Sequence, residues 1–135
     1  MSEVSRKRPE FRNIHITQLA NYRLPVAGYI SILHRVSGAL MFLLLPVALY
    51  FLDQSLISED TFNYFRNVMS GWFAKLVVLA LAWAYLHHFF AGIRHLAMDY
   101  HVGLEKQSSR NTSVAVLAVS LSLTALVALK LFGIF

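Results

Sequence analysis

Three histidines and an arginine stand inside a stretch that is otherwise apolar: Trp83-Ala-Tyr-Leu-His87-His88-Phe-Phe-Ala-Gly92-Ile-Arg94-His95-Leu-Ala-Met-Asp99. The stretch begins inside an apolar run long enough to cross a bilayer. An ionisable side chain at the centre of a membrane helix costs roughly 3 kcal/mol on insertion scales, so a sequence that keeps several together uses them. His88, Gly92 and His95 follow i, i+4, i+7 and share one helix face. Gly92 has no side chain, which leaves a shallow groove between two imidazoles. An imidazole that can ligate iron beside a groove for a flat macrocycle is the arrangement a haem needs. His87 competes by composition, but it points about 100° away around the helix.

A second polar set opens an earlier apolar run: Ser31-Ile-Leu-His34-Arg35-Val-Ser37-Gly38. Ser31, Arg35 and Gly38 share a face at i, i+4, i+7, with His34 beside them. Ser31 offers a hydroxyl and Arg35 a permanent cation. Plainer readings exist for each residue. A histidine in an apolar helix can be a hydrogen-bonded packing residue. Arg35 can mark the membrane boundary by snorkelling, and Ser31 can cap a helix. Arg94 and Asp99 can be interfacial, and Trp72 and Tyr100 part of an aromatic belt.

Membrane helices must position these residues, and the composition supplies them. Of 135 residues, 57% are hydrophobic and 14% charged, with a mean hydropathy of +0.55. Those values lie outside the soluble globular range. The absence of cysteine excludes disulfides, thiol chemistry and iron–sulfur ligation within this chain. The formal charge of +5 comes with no basic helix or RNA-binding motif, so no nucleic acid partner is expected.

Three spans are expected, at about 26–52, 72–98 and 112–135, following an N-terminal arm over 1–25. Together 26–135 form one transmembrane domain in the lipid bilayer. Pro46 should kink the first span. Asp53 to Gly71 and Asp99 to Asn111 read as polar loops. Ser120, Ser122, Thr124 and Ala125 suit close helix packing in the third span. The arm lacks a signal-peptide pattern and should remain on the protein. It carries Arg6, Lys7, Arg8, Arg12 and Arg23, and the second loop adds Lys106 and Arg110, against Arg66 alone in the first loop. Positive-inside places the N-terminus in the cytoplasm and the C-terminus outside. Ser31, His34, Arg35, Arg94 and His95 should then form one polar layer near the cytoplasmic face. His88 should lie about 10 Å deeper than His95, at 1.5 Å per residue.

The two motifs, Ser31-Ile-Leu-His-Arg-Val-Ser-Gly38 and, about 50 residues later, His88-x-x-x-Gly-Ile-Arg-His95 with Asp99, resemble the cytochrome b membrane subunit of succinate dehydrogenase. Arg8-Pro9 and Arg23-Leu-Pro25 fit that family's N-terminal pattern, and the similarity runs over essentially the whole chain. The resemblance implies an all-α membrane protein of three transmembrane helices, part of a bundle completed by a second small three-span anchor subunit. It implies an iron–sulfur subunit and a flavoprotein subunit on the cytoplasmic or matrix side. Electrons from succinate would pass through FAD and iron–sulfur clusters in those partners to ubiquinone, the substrate. One haem b would lie between the two anchors.

By the family pattern His88 is the axial ligand to the haem iron, its second ligand coming from the partner anchor. Ser31 and Arg35 match the quinone-binding serine and arginine. His34, Arg94 and His95 match positions near the haem propionates or the quinone pocket. The chain carries no catalytic residue for succinate itself. The expected location is a bacterial inner membrane rather than the mitochondrial one. Two other readings stay open: the anchor of a fumarate reductase using menaquinone, and a non-haem small transporter or assembly subunit whose polar residues form a proton path.

Overall fold

The computed structural model describes residues 16–19 and 22–134. Arg6, Lys7, Arg8, Pro9 and Arg12 lie outside the described residues. A single turn, α1 (Ile16–Leu19), precedes α2 (Val26–Ile57), α3 (Glu59–Ser70), α4 (Trp72–Asp99) and α5 (Lys106–Leu131). Among the described residues there is no strand.

Three of these helices are long and apolar enough to span a membrane. Their most apolar windows have mean hydropathies of 1.9 in α2, 1.8 in α4 and 2.3 in α5. At 1.5 Å per residue they run about 48, 42 and 39 Å, beyond the ~30 Å of a hydrocarbon core. The surface says the same. Among the described residues only Ile30, Ala84, Ala91 and Val116 are buried apolar side chains, while Phe42 is 75% exposed, Leu43 69% and Phe73 68%. Such a surface is stable only where lipid or a partner helix replaces water. The chain is a multi-pass all-α membrane protein.

The sequence expectation of two loops needs correction. Asp53 to Gly71 is not a loop. α2 continues to Ile57, and α3 follows after Ser58 alone. Ser58 starts α3 with a capping box: its Oγ accepts from Thr61 N, and Thr61 Oγ1 accepts from Ser58 N, each at 3.2 Å. Two orphan donors are thereby satisfied. Phe62, Phe65 and Met69 fall on one face of α3, and Phe65 packs edge-on against Phe51 of α2 with centroids 5.2 Å apart. Hydropathy reads this mixed stretch as polar; its 3.6-residue periodicity is what makes it a helix. α5 likewise begins six residues before the expected third span, because Gln107 bonds Asn111 at i, i+4 and its first turns are polar but helical.

α4 is the central helix. It packs on both α2 and α5, and α2 also touches α5. Small residues let the backbones approach: Ala84 and Ala91 on α4, Ser113 and Ser120 on α5. Ser120 is fully buried, whereas Ser122 and Ala125 are exposed, so only part of the expected small-residue stripe meets a neighbour. α2 stays helical through Pro46. α4 ends in a Schellman motif, with His101 N donating to Met98 O at 2.9 Å and Val102 N to Ala97 O at 3.0 Å. His101 takes the left-handed position at φ 60°, where glycine is usual.

Candidate functional site

The seam between α2 and α4 gathers three histidines. The His34 ring stacks on His88, with centroids 4.1 Å apart and planes 15° apart, and tilts against His95 at 5.0 Å. This corrects the expected layering. His34 does not stand apart from His88; its ring bridges the depth between His88 and His95. It also lies over Gly92, where a methyl group would meet His34 Nε2 at an ordinary 3.6 Å. The tight approach is on the other helix. A methyl group on Gly38 would lie 2.8 Å from His88 Cε1 and 3.2 Å from Nδ1.

Hydrogen bonds hold His88 to α2. Its Nδ1 is 3.0 Å from the His34 carbonyl oxygen and 3.3 Å from Ser37 Oγ, and Ser37 Oγ donates to that same carbonyl at 2.9 Å. A carbonyl only accepts, so Nδ1 carries the proton and Nε2 keeps its lone pair. Among the described residues no three ligating side chains converge on one point. The stacked rings of His34 and His88 do not aim their nitrogens together, so the three imidazoles form no self-contained metal site.

His87 has a different environment. Its side chain is 0% exposed, its ring sits 5.5 Å from that of Trp83, and neither of its nitrogens finds a hydrogen-bond partner among the described residues. The 100° between neighbours on a helix puts His87 in the chain's own interior, while the side chain of His88 stays half-buried at the seam.

Arg94 leaves the expected polar layer. It is 7% exposed and reaches α5, with Nε donating to Thr112 Oγ1 at 3.1 Å and Nη2 to Ser109 Oγ at 2.9 Å. The hydroxyls of Ser109 and Thr112 stand one turn apart and form a cradle for the guanidinium. Ser31 and Arg35 remain on α2 as their spacing requires, Ser31 half-buried and Arg35 exposed. Among the described residues neither is bonded to α4. Asp99, at the end of α4, is exposed. Sequence reasoning missed the bonds of Ser37 and the reach of Ser109 and Thr112. For Ser37 a signal was available, since it lies within the same polar octet as His34.

Three candidate spans with imidazoles clustered along one helix seam define a multi-pass membrane protein with polar side chains inside its bundle. The family model described as succinate dehydrogenase/fumarate reductase transmembrane subunit matches residues 8–127. The succinate dehydrogenase cytochrome b556 subunit of Coxiella burnetii is 36% identical over 104 residues, covering 76% of this chain and 82% of that protein. The subunit of the same name from Paracoccus denitrificans is 30% identical over 111 residues, with coverages of 82% and 85%. That of Rickettsia felis is 29% identical over 126 residues, with coverages of 92% and 93%. The chain therefore belongs to the succinate dehydrogenase/fumarate reductase transmembrane-subunit family, as a cytochrome b anchor subunit of succinate dehydrogenase.

Proposed function

We propose that this chain binds one haem b through His88, shares it with a second three-span anchor, and contributes Ser31 and Arg35 to ubiquinone reduction. The observation that carries the haem reading is the His88 environment. Nδ1 is committed to the His34 carbonyl at 3.0 Å, which leaves Nε2 as the iron-binding atom and fixes the ring in the tautomer a ligand needs. His87, sealed within the helices, has no such opening. Haem supplies a one-electron carrier when bound.

The quinone reading rests on what reduction demands. A quinone presents two carbonyl oxygens on an apolar ring, and reduction builds negative charge on them. Ser31 donates its hydroxyl to one oxygen. Arg35, one turn later on the same face, holds a fixed cation that favours the charged oxygen over the neutral one. Being exposed, it reaches a bound quinone without first being uncovered. His34 and His95 adjoin both sets, where they can donate to a haem propionate or carry protons toward the quinone. The flavoprotein and iron–sulfur subunits, holding FAD and the clusters, dock on the face where α2 begins and α4 ends. That face is cytoplasmic, in a bacterial inner membrane.

The test is a pair of variants in the purified complex. His88→Leu should abolish or alter the reduced-minus-oxidised haem b band, and His87→Leu should leave it largely intact. Loss of the band in His87→Leu together with its survival in His88→Leu would overturn the assignment.

A further inference from the structure

Gly38 and Ser37 have no part in the chemistry above, yet both touch the ring of His88. We propose that this Ser37-Gly38 step on α2 is a positioning device that sets the orientation and basicity of the His88 imidazole. The inference rests on the reading of His88 as the haem ligand and adds what holds that ligand.

Two observations carry it. The first is steric. The space that a methyl on Gly38 would fill lies 3.2 Å from His88 Nδ1 and 2.8 Å from Cε1, the latter closer than real Cβ contacts come. His34 stacks on the ring at 4.1 Å, so the imidazole lies against both the bare backbone of Gly38 and a second flat ring. A methyl at 38 must displace the ring from its present position. The neighbour that would have to give is a ring tied at Nδ1, not the free end of a flexible chain.

The second is electronic. The His34 carbonyl oxygen serves two side-chain donors, Ser37 Oγ at 2.9 Å and His88 Nδ1 at 3.0 Å. The donors compete for the carbonyl, so the hydroxyl weakens its pull on the imidazole proton, while Ser37 Oγ itself, 3.3 Å from Nδ1, is the longer and weaker acceptor. Removing the hydroxyl leaves His88 the only side-chain donor on that carbonyl, which still accepts the α2 backbone N–H of Gly38. The imidazole then becomes a stronger electron donor through Nε2, which favours the ferric over the ferrous state and lowers the haem potential. Ser37 is itself buried at 5% exposure, so water does not replace the lost hydroxyl freely.

The experiment uses the intact complex in detergent, with Gly38→Ala, Ser37→Ala, His88→Leu and, as a control for adding a methyl to α2, Gly28→Ala. A methyl at Gly28 meets nothing nearer than 3.5 Å. The readouts are the low-spin ferric haem electron paramagnetic resonance signal, which reports ligand-plane orientation, and the haem midpoint potential. Gly38→Ala should shift the resonance or lower haem content, Ser37→Ala should lower the potential with haem content retained, and Gly28→Ala should match the unmodified complex. If Gly38→Ala fails to assemble, the Ser37→Ala potential decides alone. An unchanged or raised potential in Ser37→Ala overturns the proposal, as does an unshifted resonance at full haem content in Gly38→Ala. A haem band that survives unaltered in His88→Leu instead overturns the ligand assignment beneath it, so the two failures are told apart.

Discussion

Replacing Arg94 by methionine keeps an unbranched apolar stem and removes the charged guanidinium. In the structure this loses two short bonds to α5, at 3.1 Å to Thr112 Oγ1 and 2.9 Å to Ser109 Oγ. Hydrogen bonds to charged groups are worth ~1.5–3 kcal/mol each in soluble proteins, which sets an upper bound of about twice that. Two considerations reduce it. Thr112 Oγ1 keeps its own bond to Ser108 O at 3.0 Å, so that hydroxyl is not orphaned. Polar contacts between membrane helices also average only ~0.6 kcal/mol, with a maximum near 1.7. The expected loss is therefore roughly 1–3 kcal/mol of α4–α5 docking. Thr112→Val should cost a similar amount, because it leaves a buried cation with one partner fewer. The double variant should fall short of the sum, as groups that share a bond are coupled. Thermal unfolding of the purified complex, followed by tryptophan fluorescence, measures this, and quinone kinetics are read in parallel. An unchanged melting midpoint in Arg94→Met together with a raised quinone KM would refute the reasoning. It would return Arg94 to the quinone pocket.

Ser31→Ala and Arg35→Ala should impair succinate–quinone activity while electron transfer from succinate to an artificial acceptor at the soluble subunits survives. Unchanged quinone kinetics in an assembled Arg35→Ala complex would leave Arg35 as a boundary residue. Reporter fusions at the N-terminus and in the turn between α4 and α5 should read cytoplasmic, and one at the C-terminus external. A cytoplasmic C-terminus would contradict the charge-based orientation.

The features legible in the sequence are those that depend on one helix at a time. Three apolar runs are read from hydropathy because a membrane-spanning helix must be apolar along its length. The 100° step between His87 and His88 follows from helix geometry, and the Ser31 to Gly38 octet and the Gly-Ile-Arg-His run carry the family on their own. α3 escaped because its polar and apolar residues average out in a hydropathy window, although its periodicity and its Ser58 and Thr61 cap were present in the text of the chain. What only tertiary structure decided is how each helix is rotated. In a soluble protein the apolar stripe shows which side faces the core. In a membrane helix the lipid-facing and neighbour-facing sides are both apolar, so sequence fixes the angles between residues but not the direction any of them points. That rotation turned His87 into the interior and His88 onto Gly38, and it sent Arg94 to Ser109 and Thr112 rather than into the histidine layer. The bonds of His88 were hidden for the same reason, since they join residues 51 and 54 positions apart.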